Sequence, residues 1–315
     1  MRYDFAPLEG LTDSIYRHLH HKYFGGADRY FTPFFSPTVH QALTPREARE
    51  LPFADTIGYY GVPQLLTKVP EDLLWMASVC KDRGYQEVNL NVGCPSGTVT
   101  AKGKGAGMLR DLDGLDRFLD SVFASAPLPV SIKTRVGFYS AEEFTAILDI
   151  YNRYPLKELI VHPRMRKDFY NGSVDMDTFR YALQQSKVPV CYNGSLRTQS
   201  EITIFSTEFP QVETVMLGRG LIADPGLLTP GGTTADILER FHNELLEEYT
   251  REFGGTRNAM FRLKENWRYW LCKFDHTEKL GRRLRKATDV DEYKAITREI
   301  FHNLPMRNEI VPDWD

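Results

Sequence analysis

The chain has 315 residues, 42% hydrophobic and 26% charged, enough to bury a full core in one large domain with an appendage or in two ordinary domains. Its formal net charge of -3 excludes a global basic field, so a polyanion would have to be gripped by a local patch. No apolar run approaches the roughly 18 residues of a membrane span. The start, Met1-Arg2-Tyr3-Asp4, lacks a secretory apolar stretch. Four scattered cysteines, Cys80, Cys94, Cys191 and Cys272, show neither zinc spacing nor a disulfide framework. These features predict a soluble, cytoplasmic, monomeric protein with no metal and no membrane contact. Short apolar runs near 2–7, 30–34, 60–66, 87–91, 129–135, 158–162, 188–193 and 213–217 read as strands. Most lie about 25 to 30 residues apart, the length of a βα unit. Eight such units predict an α/β fold, a (β/α)8 TIM barrel over residues 1–234. An open doubly wound sheet is the alternative, but no GxGxxG follows the first strand.

Helical periodicity is clear from Pro70 to Arg83 and from Ser140 to Arg153. From about Ala235 the strand signal stops. Ile237, Leu238, Phe241, Leu245 and Leu246 form one stripe, and Phe261, Leu263, Trp267, Trp270 and Leu271 fall on a second helix. Two more helices, near 277–287 and 290–303, complete an all-helical bundle over 235–315. Between Arg251 and Lys286 eleven Lys/Arg face four Asp/Glu, a local surplus of seven positive charges. With Trp267, Tyr269 and Trp270 interleaved, that segment is either an RNA-gripping face or a solvated set of helices around an aromatic core.

The stretch around which the chemistry is organised is Asn89-Leu90-Asn91-Val92-Gly93-Cys94-Pro95, followed by Gly103-Lys104-Gly105-Ala106-Gly107. A thiol just past a strand end, in a loop able to touch a ligand, is how a barrel presents a reactive group. A buried cysteine acting as a small hydrophobe is the bland alternative. Further strand ends carry Gln64, then Lys133 and Arg135, then His162 with Arg164 and Arg166. The loops after the last two predicted strands read Asn193-Gly194-Ser195 and Gly218-Arg219-Gly220, suited to a phosphate. Together these parts suit a phosphorylated flavin, with phosphate at the last two strands and Lys133 near the electron-rich edge of the ring.

Ala6-Pro7-Leu8-Glu9-Gly10-Leu11-Thr12-Asp13, Asn91-Val92-Gly93-Cys94-Pro95, Lys133-Thr134-Arg135-Val136-Gly137, His162-Pro163-Arg164 and Gly218-Arg219-Gly220 resemble, in order and spacing, the tRNA-dihydrouridine synthases. The resemblance spans the whole barrel, and the helical tail is similar to that family's RNA-binding domain. It implies an oxidoreductase that reduces uridine to dihydrouridine in tRNA, or in rRNA in its place, with FMN as cofactor and NADPH as reductant. Pro7, Leu8, Gln64, Lys133, His162, Asn193, Gly194, Ser195, Gly218 and Arg219 would then hold FMN. Cys94 would donate the proton to C5 while hydride from the flavin N5 adds at C6. Asn91 would sit by the uracil, and Arg135, Arg164 and Arg166 would meet the RNA. A free thiol is mostly protonated at neutral pH, which favours an acid over a nucleophile. The sequence departs from the family at Leu8, where Met is usual, and at Asp168, where Gln is frequent. Two other readings stay open: a flavin barrel acting on a small metabolite, similar to dihydroorotate dehydrogenases, and an RNA-binding protein without catalysis.

Overall fold

The computed structural model describes residues 1–38 and 40–314. Nine parallel strand segments form one sheet: β1 (Arg2–Phe5), β2 (Arg29–Phe31), β3 (Gly61–Val62), β4 (Gln64–Leu65), β5 (Val88–Val92), β6 (Val130–Gly137), β7 (Leu159–Met165), β8 (Val190–Tyr192) and β9 (Thr214–Leu217). Their spatial order is β3-β2-β1-β9-β8-β7-β6-β5-β4. β3 and β4 are the two halves of one extended stretch broken at Pro63, which has no N–H to give a ladder. β3 pairs with β2 and β4 with β5, so the sheet turns back on itself as a nearly closed barrel with eight strand positions. The predicted TIM barrel is therefore observed, and the open doubly wound sheet is not.

The chain divides into two compact units. The first holds residues 1–9, 28–195 and 209–216, hence nearly all of the barrel. Helices Pro70–Asp82, Leu112–Phe123, Phe144–Tyr151 and Met176–Gln185 follow their strands, each with one buried stripe. Inside the ring, Ala6, Phe31, Val62, Ile160, Cys191 and Met216 pack into one apolar layer. At the N-terminal ends of the strands, Arg29 is buried among Asp4, Glu87 and Glu158. That end reads as a stability element; the chemistry of a barrel belongs at the opposite end.

The second unit holds residues 10–27, 196–208 and 217–315. Its long helices run Ala235–Phe253, Thr256–Trp270, Glu278–Lys286 and Val290–Asn303. The helix Ser14–Tyr23 groups here rather than with the barrel. Asp13 caps that helix and also accepts from Tyr249 Oη (2.9 Å) and pairs with Arg262 (2.5 Å). Trp267 and Trp270 are buried, packed edge-on to each other and around His242. Burial pushes the His242 imidazole down to about 4, and its Nε2 lies 2.7 Å from Tyr293 Oη. These two tryptophans are core, not base-stacking groups. No helix among the described residues is long and apolar enough to cross a membrane.

Candidate active site

β5 is buried along its whole length, and side chains two apart share a face. Asn89 and Asn91 therefore point the same way, and Gln64 of β4 bridges them. Gln64 Nε2 donates to Asn89 Oδ1 and Asn91 Nδ2 donates to Gln64 Oε1, both at 2.8 Å. Asn89 Nδ2 continues the ladder to Ser131 Oγ at 2.9 Å. Asn91 Oδ1 accepts from the backbone N–H of Gly93 (3.0 Å) and of Cys94 (2.8 Å). The amide expected beside the uracil is thus buried and engaged within the protein, where it fixes the turn that carries Cys94. Asn89 and Ser131 were missed by sequence reasoning, although the two-residue spacing Asn89–Asn91 was the available signal.

The glycine loop folds back onto the thiol. Gly105 has φ +57°, and a Cβ there would meet Cys94 O at 2.9 Å and Cys94 Cβ at 3.0 Å. Ala106 N–H donates to Cys94 O at 3.1 Å. Cys94 stays partly exposed, whereas Cys80, Cys191 and Cys272 are buried. Burial pushes the Cys80 and Cys272 thiols up to about 12 and raises Cys191 well above its ordinary value.

Lys133 stands opposite Asn91 in the parallel register of β5 and β6. It is half-buried and has no hydrogen-bond or ion-pair partner among the described residues. Burial first, then the charge of Arg135, lowers its ammonium to about 8, with Cys191 and Cys94 acting weakly the other way. Such a group fits an electron-rich acceptor placed in the barrel mouth.

Arg135 and Arg164, expected to meet RNA, instead face inward. Arg135 donates to Gly93 O (2.8 Å), Met165 O (2.8 Å) and Phe169 O (2.5 Å). Arg164 donates to His162 Nε2 (3.0 Å), Asn171 O (3.2 Å), Gly172 O (2.6 Å) and Ser195 Oγ (2.9 Å). A guanidinium only donates, so His162 Nε2 accepts and a neutral ring carries its proton on Nδ1. The planar forks of both arginines meet loop carbonyls rather than solvent. Arg166 alone of the three remains half-exposed without a carboxylate partner among the described residues.

The remaining expected cofactor groups fall at strand ends. Pro7 and Leu8 are half-buried just past β1. Asn193 Nδ2 donates to Met216 O at 2.8 Å, and Gly194 sits so close to Tyr192 Oη that a Cβ would collide at 2.0 Å. In the second unit Gly218 caps the short helix Arg219–Ala223, and the Arg219 guanidinium lies 6.0 Å from the Trp314 ring centre. Of the tail cations, Lys273 is buried against Asp224 (2.5 Å), and the half-buried Arg262 pairs with Asp13. Arg257, Arg268, Lys279, Arg285 and Lys286 remain exposed.

Residues 4–301 match the family model described as dihydrouridine synthase. The chain belongs to the dihydrouridine synthase family. It is accordingly an oxidoreductase. The curated relatives include the tRNA-dihydrouridine synthase B of Proteus vulgaris, 26% identical over 313 residues, covering 95% of this chain and 94% of that protein. The tRNA-dihydrouridine(16) synthase of Shigella flexneri is 31% identical over 239 residues, 72% of this chain and 74% of its own length. Among solved structures, morphinone reductase in complex with tetrahydroNAD shares the barrel fold, with a TM-score of 0.50 at 13% identity over 77% of this chain and 86% of that one. Family membership removes the metabolite-reducing barrel as the leading alternative.

Proposed function

We propose that this chain reduces the C5=C6 bond of uridine in tRNA to 5,6-dihydrouridine, with FMN as the bound flavin and NADPH as the reductant. The observation that carries the reading is a partly exposed thiol, Cys94, near an unpartnered half-buried ammonium, Lys133, at the C-terminal end of the barrel strands. When bound, FMN would supply hydride to uracil C6. Cys94 holds the proton that C5 requires, in a turn fixed by Asn91 rather than by the thiol itself. Lys133 places positive charge where a reduced ring gathers electron density, and His162 would polarise the flavin or the uracil carbonyls. Gln64, Asn193, Gly194, Ser195, Pro7 and Leu8 would line the cofactor, and the family resemblance adds Gly218 and Arg219. The target base must leave the RNA stack to reach such a mouth. Exposed cations of the second unit would take the flanking phosphates.

The test is spectral and chemical. The purified protein is expected to show flavin absorbance, to bleach with NADPH, and to reoxidise with bulk tRNA while dihydrouridine accumulates. Reoxidation by orotate or fumarate, with none by tRNA, would overturn the reading. Lys133 adds a pH signature. Because its ammonium titrates at about 8, flavin reduction is expected to fall as pH rises through that value. Lys133→Met should be about 10²-fold slower at pH 7 and lose that alkaline limb, measured by stopped-flow bleaching.

A further inference from the structure

Two loops at the C-terminal ends of β6 and β7 expose aromatic rings. Tyr139 is 65% exposed, Tyr170 44% and Phe169 41%, and Phe138 packs beside Tyr139 with ring centres 4.8 Å apart. The Arg166 guanidinium lies 5.5 Å from the Phe138 ring centre and 5.4 Å from that of Phe169. Arg110 lies 5.1 Å from the Phe138 ring. Among the described residues neither arginine has a carboxylate partner, and the buried Nε of Arg166 has no hydrogen-bond partner. Arg166 Nη2 reaches to 3.5 Å from Thr100 Oγ1, so the cluster borders the short helix Gly97–Thr100 that follows Cys94.

Phe169 itself is strained. Its φ of +51° and ψ of -103° lie outside the regions a bulky residue adopts readily. The conformation is held by Arg135, whose guanidinium grips Phe169 O and, from its other side, Gly93 O next to Cys94. One buried cation therefore ties the strained, ring-presenting loop to the loop of the reactive thiol. Strain that leaves an apolar ring in water is not explained by packing, and it points to a ligand for the ring face.

We propose that Phe138, Tyr139, Phe169 and Arg166 form a stacking shelf for the unpaired base next to the target uridine, with Arg110 and Arg166 facing its phosphates. The proposal rests on the RNA-reducing reading above and adds a specificity surface to it. Flipping out one base strips its neighbour of a stacking partner, and an aromatic face beside the mouth restores one. Rings interleaved with unneutralised guanidiniums suit a single strand, whereas an acidic peptide would use the cations and leave the rings in water.

The experiment measures, by fluorescence anisotropy, the Kd of the full-length protein for a labelled single-stranded RNA oligonucleotide containing uridine. It compares wild type with Phe169→Gly, Phe169→Tyr and Arg166→Met. Glycine accepts the positive φ, so Phe169→Gly should melt no lower than wild type while binding about 10- to 100-fold more weakly. Phe169→Tyr should bind like wild type, and Arg166→Met more weakly with a shallower salt dependence. With tRNA, Phe169→Gly should raise KM by a similar factor and leave kcat within about twofold, since stacking beside the reacting base adds binding common to ground and transition states. An unchanged Kd in Phe169→Gly, or a wild type that does not bind the oligonucleotide, would overturn the shelf. Tight binding lost in Phe169→Gly without any dihydrouridine formation by wild type would keep the shelf and sink the reaction assigned above.

Discussion

Cys94→Ala is expected to retain bound flavin and its bleaching by NADPH while dihydrouridine formation on tRNA falls by about 10²- to 10⁴-fold, the range for removing a positioned general acid. The turn is held from the backbone: Asn91 Oδ1 accepts from the N–H of Gly93 and Cys94, and Ala106 N–H donates to Cys94 O. None of these bonds uses the thiol, so its loss leaves the loop and the neighbouring amide ladder in place. The defect should therefore appear in kcat and kcat/KM together rather than in KM, because the proton is needed only as C5 is protonated in the transition state. Cys94→Ser keeps a proton on a similar atom and should fall between wild type and alanine. The readouts are stopped-flow bleaching for the flavin half and mass spectrometry of nucleosides for the product half. Turnover by Cys94→Ala equal to wild type would remove the thiol from the scheme.

What the sequence made legible follows from the range of the forces involved. The strands were readable because short apolar runs ended in glycine, proline or polar residues, and each observed strand falls within or beside its expected run. The grouping of the helix Ser14–Tyr23 with the tail was not readable, since it rests on contacts between Asp13 and Tyr249 and Arg262, more than two hundred residues away. Phe261 lies on the helix expected for it, but it is 42% exposed. It stands two positions from buried Leu263, about 200° around the helix, so the two cannot share a face. Strand parity put Lys133 and Arg135 on one face of their strand. It carried no information on which loop carbonyls Arg135 and Arg164 would reach, and those carbonyls hold both guanidiniums. The tail's charge surplus likewise overstated the free cations, because Lys273 pairs with the buried Asp224 and Arg262 with the half-buried Asp13.

Arg29→Met is expected to destabilise the fold by about 3–5 kcal/mol, the cost of breaking a buried ion pair from one side, and so to lower Tm by on the order of 10 °C. Arg29 holds Asp4 through two bonds, at 2.8 and 2.6 Å, and also pairs with Glu158 and Glu87; Lys157 supplies the other cation, 2.8 Å from Glu87. Three buried carboxylates against two cations leave one charge in excess. Asp4 accordingly has its carboxyl raised to about 7, burial being the larger cause and opposed mainly by Arg29. The sign of the pH dependence follows. A carboxyl raised above its unfolded value of 3.8 binds a proton on folding, so the stability linked to it is full at low pH and is lost as pH rises toward 7. In Arg29→Met the counter-charge is gone and Asp4 is pushed higher still. The Tm deficit should therefore be small near pH 5 and widen toward pH 8, whereas wild type changes less. A second substitution isolates the cause: Asp4→Asn in the Arg29→Met background removes one unpaired buried charge and should recover part of the loss, most clearly at pH 8. Equal deficits at pH 5 and pH 8 would show that Arg29 acts through packing alone and not through the charges it neutralises.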